Sequence, residues 1–167
     1  MKTNLIIIFG LLLSTLLIGC SQNSEDSSGG ASEEHEGHAQ ETAGGDIREE
    51  TSGSDVMPAF LEEKPEEMQN IYMAVSQHKE LLEQIPCYCG CGDSVGHRDN
   101  YDCFVHKNGE DGSLVWDDHG TKCGVCLEIA AQSIVDYQDG KSVKEIREDI
   151  DKQYEQGYSK PTPTPEV

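Results

Sequence analysis

Positive charge is scarce in this chain. Twelve Lys and Arg residues stand against 32 Asp and Glu, for a formal net charge of -20 over 167 residues. A surface of that sign repels a phosphate backbone, which excludes nucleic acid as a partner and favours cations or basic proteins. The chain also has no hydrophobic run long enough for a comfortable membrane span of about 20 residues. It has no βαβ pattern, phosphate loop, Ser-His-Asp arrangement or internal repeat. The Asp and Asn residues between Gly92 and Gly120 do not follow the spacing of a calcium loop, with its central Gly and final Glu, and read as solvated turns.

What is present begins with Lys2 and an apolar run from Leu5 to Ile18, interrupted by Gly10, Ser14 and Thr15. This is the pattern of a secretory signal over residues 1–19. The run ends in Leu17-Ile18-Gly19-Cys20, which resembles the bacterial lipobox. That resemblance implies cleavage before Cys20, a diacylglyceryl group on its sulfur and further acylation, palmitate included, at the new amino terminus. Multiple acyl chains would hold the protein on the extracytoplasmic face of the cell membrane. Ser21 to Asp55 contains no aromatic residue and carries ten acidic residues against Arg48 alone. Such a segment buries too little to fold, so residues 20–55 are expected to be a disordered, lipid-anchored linker with an r.m.s. span of ~30 Å. His35 and His38 read as solvated linker residues.

Six of the seven cysteines lie beyond this linker. Cys87, Cys89 and Cys91 crowd into Pro86-Cys87-Tyr88-Cys89-Gly90-Cys91-Gly92, Cys103 stands alone, and Cys123 and Cys126 form a Cys-x-x-Cys. An extended run after Pro86 would point the first three thiols to one side as a comb. The motif resembles the signature of the PCYCGC-motif bacterial lipoproteins, and the resemblance continues through Asp102-Cys103-Phe104-Val105 and His119 to Cys126. It covers roughly residues 57 to 158 and implies an architecture and a location rather than a mechanism.

The pattern around the thiols predicts a mostly α domain over residues 56–158, with a cysteine-rich irregular centre and one short β-hairpin. Pro65, Glu66 and Glu67 open a helix that runs to about Gln84, with Ile71, Val75, His78, Leu82 and Ile85 on one face. His78 reads as a partly buried, hydrogen-bonded side chain. Residues 103–106 and 113–116 are candidate strands of the hairpin. Thr121 caps a helix from Lys122 to about Asp139, which puts Cys123 and Cys126 in its first turn. Ser142 and Glu145 form a capping box for a last helix with Val143, Ile146, Ile150 and Tyr154 as its stripe. Residues 159–167 form a proline-rich tail of polyproline character.

Three readings of the thiols compete. An even number of cysteines outside the cell fits three disulfides in a stapled interaction domain, although neighbours one residue apart cannot pair without strain. Cys-x-Cys and Cys-x-x-Cys pairs also chelate soft ions. On that reading Cys87, Cys89, Cys91, Cys103, Cys123 and Cys126 are the thiolate ligands, with His97, His106 and His119 as nitrogen ligands. The set exceeds one tetrahedral zinc site, leaving room for a four-thiolate site plus a disulfide, a two-ion thiolate cluster or a copper(I) site. Third, Cys123 at a helix N-terminus suits thiol-disulfide exchange with Cys126. In helical pattern, the stretch from Cys123 to the last helix is similar to small helical thiol proteins of cytochrome c maturation. The favoured reading is binding of copper or zinc for storage, delivery or sensing, with a metal-delivery or redox protein as partner; a thiol-disulfide oxidoreductase using Cys123 and Cys126, or a disulfide-stapled interaction domain, is the alternative, so the sequence leaves an enzymatic role open.

Overall fold

The structure, a computed structural model, describes residues 39–42 and 44–167. The signal segment, Cys20, His35 and His38 lie outside the described residues. No helix among the described residues is long and apolar enough to cross a membrane.

The fold is mixed α/β rather than mostly α. Strands β1 (Gln40–Glu41), β2 (Ile47–Thr51), β3 (Val105–Asn108) and β4 (Leu114–Asp117) form one antiparallel sheet in the order β1-β2-β4-β3. The expected hairpin is β3 and β4, displaced one or two residues toward the C-terminus at each strand. The linker expected through Asp55 therefore ends earlier. β2 pairs with β4 across Glu49↔Trp116 and Thr51↔Leu114, which makes β4 a central strand. Polar groups hold it there. Trp116 Nε1 donates to Thr51 Oγ1 at 2.8 Å, and the buried Glu49 carboxylate accepts from Ala59 N at 2.7 Å, closing the start of a 3-10 turn at Ala59–Leu61.

The helices pack against this sheet. α1 (Glu66–Gln77) starts after Pro65, and α2 (Lys79–Leu82) continues its buried face. The single helix expected to Gln84 is broken at His78, whose backbone N reaches back only to Val75 O while its ring Nδ1 donates to Ala74 O at 2.7 Å. Tyr72, Val75, Leu82 and Ile85 still reach the core, so the apolar stripe survives the break. α3 (Cys91–Ser94) is one turn long. α4 (Gly124–Gln138) follows a 3-10 turn at Asp118–Lys122. It begins two residues later than expected, because the Thr121 hydroxyl donates to Asp118 O instead of capping it. α5 (Val143–Gln153) carries the Ser142–Glu145 capping box and buries Ile146 and Ile150.

One hydrophobic core joins sheet and helices. Tyr72 lies edge-on to Phe104 with ring centroids 4.9 Å apart, and Trp116, Ile129, Ile146 and Tyr154 are fully buried around them. The proline-rich end belongs to this body. Thr162 is 3 % exposed; its backbone N donates to Cys87 O at 3.0 Å and its hydroxyl accepts from Cys87 N at 2.9 Å. Ser159 N donates to Tyr88 O at 3.1 Å, and Arg147 Nη1 to Pro165 O at 2.8 Å. Residues 159–165 thus run as a strap along the cysteine loop.

Candidate metal centre

Three separate pieces of chain deliver the thiols and a fourth delivers His119. Pro86 follows the turn that closes α2, and Cys87 to Cys89 lie beneath the strap outside any helix or strand. Gly90 then turns at φ +92°, a left-handed conformation that side-chain-bearing residues avoid, and Cys91 enters α3. The comb is therefore bent after its second tooth. A Cβ on Gly90 would lie 3.0 Å from Ser159 Oγ and one on Gly92 3.3 Å from Thr162 Cγ2, so the glycines of the motif also admit the strap. Cys103 comes from a 3-10 turn before β3, Cys126 from the first turn of α4, and His119 from the turn after β4.

These residues converge. The Sγ atoms of Cys87, Cys89 and Cys126 form a triangle with sides of 3.4, 3.5 and 3.5 Å, and Cys91 Sγ lies 3.6 Å from Cys103 Sγ. His119 Nε2 is 3.9 Å from Cys89 Sγ. Two sets of four donors, each mutually within 4.8 Å, result: Cys87, Cys89, Cys103 and Cys126, and Cys89, Cys91, Cys103 and His119. The sulfur atoms of a disulfide are about 2.05 Å apart. Four sulfurs around a zinc ion at 2.3 Å are about 3.8 Å apart. The observed separations approach the second figure, and the donor chemistry, thiolate with one imidazole, is that of a soft ion.

The remaining sequence candidates sit outside both sets. Cys123, half-buried beside Cys126, forms the rim of a cavity of about 380 Å³ also lined by Asp46, Cys89, Cys91, His119 and Lys122. His97 is 5 % exposed, has no hydrogen-bond partner at either ring nitrogen among the described residues, and lies edge-on to His119 with ring centroids 4.8 Å apart. His106 is on the exposed side of β3, its Nε2 3.3 Å from Arg48 Nη1, away from the thiols.

Electrostatics single out Cys89 and His119. Hydrogen bonds from Cys103, Cys126 and Cys87 hold the Cys89 thiol far below its ordinary value, whereas burial pushes Cys103 well above it. His119 is raised to about 9, first by Cys89 and then, against burial, by Asp46. Its Nδ1 donates to Asp46 Oδ2 at 3.2 Å, which orients the ring with Nε2 toward the thiols; holding an ion there would require Nε2 to give up its proton. Burial opposes ionisation of Asp46, but hydrogen bonds from His119 and Lys122 keep its carboxyl below the usual range. The neighbouring Asp117 and Asp118 are likewise paired, with Arg48 at 2.9 Å and Lys122 at 2.8 Å.

Sequence reasoning missed Asp46, which lies in the acidic segment 73 residues before His119, and Thr162 in the strap; neither carries a local signal. It also missed Asn100, fully buried, whose Nδ2 donates to Cys126 O at 3.2 Å and whose backbone N donates to Ile85 O at 2.8 Å, so that the segment leading into the cysteine loop, the Cys103 turn and α4 are tied at one residue.

No curated protein and no solved structure matches the chain. The model of one family, described as proteins of unknown function with a PCYCGC motif, matches residues 8–167, and the chain belongs to that family.

Proposed function

We propose that the protein is a lipid-anchored, extracytoplasmic protein that binds a soft transition-metal ion, copper or zinc, through its clustered cysteines for storage, delivery or sensing. The observation that carries this reading is the convergence of five cysteine sulfurs and His119 Nε2 from four stretches of chain. Ligands so dispersed in sequence are brought together only by folding, which couples binding to stability of the centre. The location rests on the lipobox-like sequence at Cys20.

The test is elemental analysis beside a free-thiol count on protein purified without air. The expected result is bound zinc or copper, with content lowered in Cys89→Ser, and a centre loosened by chelator. Reduced protein that holds neither zinc nor copper(I) against a glutathione pool would end the metal reading.

A second reading has one observation in its favour. Cys123 stands half-buried at the N-terminus of α4, and its thiol is lowered to about 7, chiefly by Cys126. That arrangement suits thiol-disulfide exchange. It predicts one exchangeable pair, Cys123 with Cys126, and turnover of a test disulfide by metal-free protein.

A further inference from the structure

We propose that the centre holds two ions, joined through Cys89 and Cys103. The inference rests on the metal-binding reading above and assigns its ligands. Each of the two donor sets has the four members that one tetrahedral ion requires, and the sets have Cys89 and Cys103 in common. Two tetrahedra that share an edge need six donors, the number the two sets contain together. One ion would leave two of the six unused. Cys87 and Cys126 complete the site of the first ion, and Cys91 and His119 complete the site of the second.

Two further observations support the second site. Five thiolates around one zinc ion would leave three negative charges in a largely buried centre, and around one copper(I) ion four; a second ion lowers these to one and three, and uncompensated buried charge is costly. His97 also lies on the second side only. Its ring is more than nine-tenths buried, unpartnered at both nitrogens among the described residues and set against His119. A buried polar nitrogen left unpaired is destabilising. A cation beside His119 would give this polar ring a favourable neighbour.

The experiment counts ions by native mass spectrometry of the anaerobic, reduced protein, loaded separately with zinc and with copper(I), each in competition with a chelator. Two ions per chain with either metal is the expected result. The paired variant Cys91→Ser with His119→Gln should retain one ion, and Cys123→Ser, outside both sets, should retain two. No more than one ion with either metal overturns the two-ion centre and leaves the binding reading standing; no ion with either metal overturns both. Cobalt(II) substitution tests the shared ligands independently. Two cobalt ions bridged by thiolates couple magnetically, so the spin signal at two equivalents should fall below twice that at one equivalent. A signal that doubles shows separate ions and refutes the bridge.

Discussion

Replacing Thr162 by Val removes one oxygen and keeps the shape of the side chain. In the parent that oxygen accepts from Cys87 N at 2.9 Å, and both residues are buried. The substitution leaves the Cys87 N–H without its partner, at a cost of about 1–3 kcal/mol. The strap is the end of the chain, so the cost falls first on its local detachment rather than on global unfolding. Detachment is best read at Ser159, whose N–H is bonded to Tyr88 O at 3.1 Å and is chemically untouched by the change. At about 1.4 kcal/mol per factor of ten, its hydrogen exchange should accelerate roughly 5- to 150-fold.

Thr162→Ser keeps the hydroxyl and should exchange within a few-fold of the parent. Because the strap lies on the backbone of Cys87, Thr162→Val should also hasten loss of bound ion to a chelator by a comparable factor. If Ser159 exchanges equally fast in the Val and Ser variants, the hydroxyl does not hold the strap and the reasoning fails.

Three other outcomes are expected. Glu49→Ala removes the buried acceptor of Ala59 N and Phe60 N, at 2.7 and 3.3 Å, and should lower stability by about 1–3 kcal/mol in urea unfolding; no loss would mean that β2 is not docked. Asp99 is raised to about 7, by burial and then by the Asp102 charge. Its unfolded value is about 3.9. The folded protein therefore holds a proton that the unfolded chain releases, and this contribution is full below pH ~4 and lost as pH rises through 7. Asp99→Asn should flatten the fall in melting temperature over that window, and parallel curves for parent and variant would refute the assignment. Cys20→Ala should leave the membrane fraction or remain unprocessed; a processed variant that stays membrane-bound would remove the anchor.

The parts of the fold legible in the sequence are those written locally. The capping box at Ser142 and Glu145 and the stripe of Ile146, Ile150 and Tyr154 lie within one short segment, and α5 follows from them. The hairpin follows from the two short apolar runs at residues 103–106 and 113–116, with a glycine-containing connection between them. β2 was not legible. Ile47-Arg48-Glu49-Glu50-Thr51 has β-branched residues only at its two ends, with three charged residues between them and no apolar alternation. It is held by a buried carboxylate on Ala59 N, an Arg48–Asp117 ion pair and the Trp116–Thr51 hydrogen bond, all made with residues 10 or more positions away. The break at His78 was hidden for the opposite reason: the helical period runs through it unchanged.

The centre was legible as chemistry and illegible as geometry. Three thiols in five residues announce a soft ligand set, and alternation along an extended chain puts them on one side. Gly90 defeats that rule. Its left-handed turn after Cys89 swings Cys91 toward Cys103, while Cys87 stays with Cys126. In sequence order Cys87 then belongs to the first donor set, Cys89 to both, and Cys91 to the second. The motif therefore runs across the cluster as a spine, and the residues that finish each side come from elsewhere: Cys126 from α4 on one side, and His119, braced by Asp46, on the other. Cys103 arrives between them and closes the shared edge. A chain with the same cysteine count and a side-chain-bearing residue in place of Gly90 would pass the same compositional test without being able to make that turn unstrained.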